Sequence, residues 1–154
     1  MESKATNYTL VYLIRDNLVL LIEKKRGLGK SLMNGVGGKV EFNERIEDAA
    51  RREVFEEVKV RVDSLEKRGV ILFTNKSENL EFLLVHIFVS KDFDGEPEET
   101  DEAKPVWYNI NKMPFDKMWV DDKYWLPLVI NGEFVYGEFY FENWKLKDYF
   151  LIHD

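Results

Sequence analysis

The sequence predicts an α/β protein: a mixed sheet with helices packed on its faces. Three observations carry this. Strand-like segments outnumber helical ones, they lie on both sides of the first helix, and a glycine-rich loop separates an opening hairpin from that helix. With 154 residues, 45% hydrophobic and 33% charged, the chain reads as one globular domain over 1–154.

Tyr8–Ile14 and Leu18–Ile22 read as strands joined by a turn at Arg15-Asp16-Asn17. The stretch from Gly27 to Gly38 holds five of the nine glycines and reads as loop. Glu44–Val58 has helical composition, with Asn43 as the expected N-cap. Val70–Phe73 and Leu80–Val89 read as strands around a polar Asn75–Asn79 turn. An acidic loop over Asp92–Lys104 and a short strand over Ala103–Asn109 follow. Tyr124–Ile130 reads as a helix interrupted by Pro127 and ending near Asn131-Gly132. Phe134–Phe141 and Trp144–Leu151 read as a closing pair of strands. Their aromatics, Phe134, Tyr136, Phe139, Tyr140 and Trp144, are expected in sheet and core. His86, inside an apolar strand, is expected to be structural.

Composition excludes several chemistries. The 29 acidic and 22 basic residues give a net charge of −7, which disfavours a general grip on a nucleic acid polymer. There is no cysteine and there are only two histidines, so disulfides, zinc-thiolate sites and cysteine nucleophiles are absent. No apolar run approaches the roughly 20 residues needed to span a bilayer. The N-terminal MESKATNYTLVYLI lacks a basic-then-apolar layout. A cytoplasmic monomer with no membrane association is the expectation. Its chemistry falls to carboxylates, lysines and backbone groups.

One helix carries an anomaly. At about 100° per residue, Ile46, Ala49, Ala50, Val54 and Val58 form an apolar arc. Glu53 and Glu57 fall within about 20° of Ile46, in the middle of that arc. Inward carboxylates are costly unless a cation neutralises them. Glu56 reaches the same place from the side, and three carboxylates make a hard-ion site suited to Mg²⁺ or Mn²⁺. The run RREVFEEVK also suits a solvated helix face. The loop Asn34-Gly35-Val36-Gly37-Gly38-Lys39, just before the helix, favours the first reading, because glycines let backbone approach a ligand and such loops handle phosphate.

The spacing Gly38, five residues, Glu44, seven residues, Arg52-Glu53-Val54, one residue, Glu56-Glu57, one residue, Lys59-Val60 resembles the Nudix box of the Nudix hydrolases. Every position agrees except the final glycine, which is Lys59. Tyr8-Thr9-Leu10-Val11, Lys24-Lys25-Arg26-Gly27, Asn34 to Val40 and Met118 to Trp125 look like the oxidised-purine nucleoside triphosphatases, the mammalian-type MutT homologues. The resemblance implies an α/β/α sandwich, the Nudix fold, with a central mixed sheet. It also implies Mg²⁺-dependent hydrolysis of 8-oxo-dGTP and 2-hydroxy-dATP to monophosphate and pyrophosphate, which cleanses the nucleotide pool.

By the same resemblance the metal ligands are the Gly37 carbonyl, Glu53, Glu56, Glu57 and Glu102. Glu57 is the first choice for base or ligand, with Glu53 beside it. Arg52 is expected to pair with Glu44 or Glu56 and orient it. Asn34, Trp119, Asp121 and Asp122 match purine-recognition positions. Thr9, Lys24 and Phe73 match pocket-lining positions, and Val36, Gly37, Gly38 and Lys39 form the substrate loop. Asp121 and Asp122 could not easily both ionise beside one base, so one would donate and the other accept. Lys59 in place of glycine is expected to cost about 1 kcal/mol, or to force another turn. Met33, Leu28 and Val120 stand where the nearest relatives carry tryptophan, phenylalanine and proline. These changes touch pocket walls or loop stiffness and keep open a second reading, with other modified or ordinary nucleotides as substrate. A nucleotide-binding module without turnover is the third.

Overall fold

The computed structural model describes residues 5–154. The first four residues of the N-terminal stretch read above lie outside them. The elements are β1 (Ala5–Arg15), β2 (Leu18–Lys24), β3 (Met33–Asn34), α1 (Ile46–Val58), β4 (Arg61–Lys76), β5 (Leu80–Asp94), β6 (Ala103–Asn109), a 3-10 turn at Phe115–Lys117, α2 (Asp122–Ile130), β7 (Val135–Glu142) and β8 (Lys145–His153). No helix among the described residues is long and apolar enough to cross a membrane.

The sheet is mixed. β1 runs parallel to β5, β5 antiparallel to β4, β4 parallel to β7, and β7 antiparallel to β8. β1 and β2 pair only beside their turn, at Ile14↔Val19 and Arg15↔Leu18. β2 then pairs antiparallel with β3 and β6. Strands β1 and β2 are apolar without alternation because both faces are covered. Val11, Leu13, Leu20 and Ile22 pack with Ala50, Val54 and Val58 of α1. Tyr12, Ile14, Val19 and Leu21 pack with Trp125, Leu126 and Val129 of α2. The expected α/β/α layering is therefore observed.

Several boundaries differ from expectation. The helix begins at Ile46; Arg45 is its cap residue and supplies no side-chain bond, while Asn43 sits at φ 65°. The entry is tied instead by the Glu41 N–H, which donates to Glu44 Oε1 at 3.0 Å. Glu47 and Asp48 in the first turn suit the helix dipole. Lys59 adopts φ 63°, ψ 29°, the left-handed position glycine would fill. Its N–H bonds the Phe55 carbonyl, and its ammonium lies 5.4 Å from the Phe55 ring centroid, which offsets the strain. Pro127 lies inside α2 without interrupting it. β4 starts at Arg61 and β5 extends to Asp94, because ladder pairs Arg61↔Asp94 and Val62↔Phe93 hold their polar ends together through bulges. The acidic loop is correspondingly shorter.

Candidate active site

Three segments converge at the N-terminal half of β1. The glycine loop lies along this strand: Thr9 N–H donates to Gly38 O (2.9 Å), Val36 N–H to Val11 O (3.0 Å) and Val40 N–H to Asn7 O (2.9 Å). The approach is too close for side chains. A Cβ on Gly37 would fall 1.8 Å from the Thr9 carbonyl oxygen, and one on Gly38 would fall 2.6 Å from the Glu53 carboxylate. Gly38→Ala is therefore expected to push Glu53 aside and lower kcat/KM by about tenfold to a hundredfold, a loss of roughly 1–3 kcal/mol of transition-state stabilisation. Unchanged kinetics in this variant would show that Glu53 has no fixed place in turnover.

Helix α1 presents its carboxylates to this loop. Glu57 is buried, Glu53 nearly so, and Glu56 half exposed. Glu57 Oε2 is buried without a hydrogen-bond partner. Burial, followed by the charge of Glu53, pushes its carboxyl up to about 8, against an ordinary value of 4.5. Burial likewise raises Glu53. Glu102 is set near both by the acidic loop, which docks on the end of α1. There Glu98 N–H bonds Val58 O (2.9 Å) and the Thr100 hydroxyl bonds Glu57 O (2.8 Å). Arg26 Nη2 donates to Glu102 Oε1 at 3.1 Å.

Arg52 gathers the rest. Its Nε and Nη2 grip both oxygens of Glu44 at 2.7 and 2.9 Å. Its Nη1 donates to Glu53 (2.7 Å) and Glu56 (3.2 Å), and Nη2 also reaches the Lys39 carbonyl at 3.1 Å. The bidentate contact holds the Glu44 carboxyl below its usual range. Among the described residues no three acidic or histidine side chains already converge as a metal cage. Glu53 and Glu56 face Arg52 instead.

Beyond the glycine loop lies a cavity of about 330 Å³. Thr9, Lys24, Asn34, Gly37, Gly38, Phe73, Trp119, Asp121 and Asp122 all line it. Two expected loop residues do not. Val36 is fully buried in the core beneath α1, since its side chain alternates away from the cavity, and the Lys39 side chain is exposed. Asn34, which lines the cavity, donates from Nδ2 to Leu32 O at 3.0 Å. The acid pair is buried at the start of α2: Trp125 Nε1–H donates to Asp121 Oδ2 at 2.8 Å. Burial raises both carboxyls, Asp122 further, because it also faces the charge of Asp121. Leu28 stands on the wall, in line with expectation, and Tyr8, Tyr12, Leu83, Phe141 and Trp144 are among the wall residues that go beyond it. Only Trp144 had a legible signal, since Asn143-Trp144 sits between two alternating strands where a tight turn must fall.

Residues 5–129 match the family model of the NUDIX domain. The chain belongs to the Nudix family. Two relatives are named oxidized purine nucleoside triphosphate hydrolase. The Danio rerio protein is 46% identical over 135 residues, 88% of this chain and 86% of its own length. The Mus musculus protein is 42% identical over 136 residues, with coverage of 88% and 86%. The fold is shared with the mutator MutT protein of Bacillus halodurans, at TM-score 0.85 and 23% identity, over 95% of this Nudix chain and 97% of that one. The Nudix box thus maps onto the loop and helix described above, with Lys59 as its one departure.

Proposed function

We propose that the chain hydrolyses oxidised purine nucleoside triphosphates, 8-oxo-dGTP and 2-hydroxy-dATP among them, to monophosphate and pyrophosphate with Mg²⁺. The observation that carries this is the aromatic cavity lined by a buried acid pair, Asp121 and Asp122, and by Gly37 and Gly38, against which the Glu53 carboxylate of α1 lies. The names of the two vertebrate relatives support it. In this reading the protein is a single-domain cytoplasmic monomer. It acts on free nucleotides and not on a nucleic acid polymer, consistent with its net charge of −7.

The residues present fit a hard dication. Glu57 carries an unpartnered buried oxygen, and Glu53, Glu56, Glu102 and the Gly37 carbonyl add oxygen donors. Mg²⁺ takes few protein ligands and keeps water and phosphate oxygens, so an incomplete cage suits it; Mn²⁺ could substitute. When bound, the ion screens phosphate charge and acidifies water. Glu57, with Glu53, orients or deprotonates the attacking water. Arg52 holds Glu53 and Glu56 in register, and Lys24 and the glycine loop receive the polyphosphate. Asn34, Asp121 and Asp122 read the base edge, while Trp119 and Phe73 offer faces for its ring.

Moving the proton between Asp121 and Asp122 would let one pocket accept two oxidised purines with different donor patterns. Asp121→Asn fixes the pattern while keeping an acceptor for Trp125. It is expected to change the ratio of 8-oxo-dGTP to 2-hydroxy-dATP turnover by about tenfold, as loss of a charged hydrogen bond allows. Equal losses on both substrates would count against the shared proton. The function as a whole is tested by steady-state hydrolysis of 8-oxo-dGTP and dGTP with Mg²⁺, following pyrophosphate. Equal turnover of both would keep the chemistry and move the substrate to other nucleotides. Leu28, half exposed at the cavity wall, favours that second reading.

A further inference from the structure

The hairpin between β7 and β8 turns in two residues, with Glu142 paired to Lys145. Asn143 has φ 49° and Trp144 has φ 59°. Two-residue turns of this hand need positive φ at both positions, and the second is usually glycine. Asparagine tolerates the conformation; a bulky tryptophan there is a strained outlier. Such strain persists only where the surroundings hold it, and it concentrates at functional sites.

Trp144 is held on three sides. Its N–H donates to Asn75 Oδ1 at 2.9 Å. Asn75 is itself buried, and its Nδ2 has no partner. The neighbouring Asn143 N–H bonds Lys76 O at 2.9 Å. The indole lies 5.9 Å from the Phe141 ring and 5.4 Å from Trp119, at 57° to the latter. Trp144 lines the same cavity as Asn34, Asp121 and Asp122. On its far edge Trp119 meets Gly29, where a Cβ would fall 3.0 Å from its indole nitrogen. A glycine at 144 would turn the hairpin without strain and would leave this wall open.

We propose that Trp144 contacts the substrate base: with Trp119 it forms a two-indole wall of the cavity, which the strained Asn143-Trp144 turn places there for a flat purine. This rests on the proposed function. A ring stacking on such a face is sensitive to its removal and tolerant of replacement by another ring.

The test uses the full chain with Trp144→Asn and Trp144→Gly, both at home in this turn, and Trp144→Phe. With 8-oxo-dGTP and Mg²⁺, the first two are expected to raise KM by about tenfold with kcat within about threefold, while Trp144→Phe stays near wild type. Calorimetric binding of 8-oxo-dGMP weakens about tenfold in parallel, and inhibition by pyrophosphate is unchanged, since it reports the carboxylate end of the site. Unchanged KM in the Asn and Gly variants overturns the proposal, as does loss of the fold in both, which would make Trp144 purely structural. A wild-type protein that neither hydrolyses 8-oxo-dGTP nor binds 8-oxo-dGMP overturns the proposed function and this inference together. A wild-type protein that does both, with indifferent variants, overturns only the inference.

Discussion

Glu57→Gln is expected to lower kcat for 8-oxo-dGTP by about a thousandfold, within the range that loss of a general base or of a metal-holding carboxylate produces. The substitution keeps shape and removes the ionisable carboxyl of a buried side chain. Pyrophosphate release in Mg²⁺ measures it, and a loss under tenfold would move the role to another carboxylate. The same variant carries a stability signature. In wild type without divalent ions, the folded state keeps a proton up to about pH 8 that the unfolded state has lost near its ordinary value of 4.5. Stability from this site is therefore complete below pH 4.5 and is lost as pH rises toward 8. Glu57→Gln has nothing to titrate there. In chelator, its melting temperature should rise relative to wild type as pH climbs, and added Mg²⁺ should stabilise wild type more than the variant. Parallel pH curves would refute the buried, unpartnered carboxyl.

Arg52→Ala is expected to cost about 2–3 kcal/mol of folding stability in urea titrations. That is below the 3–5 kcal/mol of a fully buried pair, because the guanidinium keeps some contact with water. It should also lower kcat/KM by about a hundredfold. The arginine grips Glu44 through two bonds and Glu53 through one, and those side chains are only 16% and 13% exposed. Without it Glu44, Glu53 and Glu56 lose the cation that bonds all three, and Glu53 and Glu56 lose the contacts that orient them. Arg52→Lys should fall between, since an ammonium cannot span both oxygens of Glu44 as a guanidinium fork does. A change under about 0.5 kcal/mol in the alanine variant would mark Arg52 as an ordinary surface residue.

The inward placement of Glu53 and Glu57 was legible from helix periodicity alone, since seven- and eleven-residue offsets from Ile46 return to one face. The loop glycines were legible by type. Their reason was not: Gly37 and Gly38 are needed because the Thr9 carbonyl and the Glu53 carboxylate occupy the space a Cβ would take. The N-cap at Asn43 misled because a capping residue type says nothing about where the preceding loop lets the helix begin. Here Glu41 and Glu44 close the entry and Asn43 serves the left-handed turn before it. Val36 and Lys39 belong to one loop by sequence, yet alternation sends the first into the core and the second to solvent.

What the sequence determined by itself is what repeats locally: the alternation of strands around a helix, the carboxylates on its apolar arc, and the box spacing that marks the Nudix family. These depend on residues close in the chain, whose relative placement follows from the period of one element. What only the tertiary structure decided is which distant residues share a wall. Trp144 reads as a sheet aromatic until pairing of β7 with β8 brings it within 5.4 Å of Trp119, 25 residues earlier in the chain. Arg52 is expected beside Glu44 or Glu56, and only the fold sets it on both at once, on Glu53 and on the Lys39 carbonyl of the glycine loop. The acid pair is expected at the base by resemblance, and only the fold buries both carboxyls and sets the Trp125 indole N–H on Asp121. In each case the deciding quantity is burial or contact across the fold, which no local period encodes.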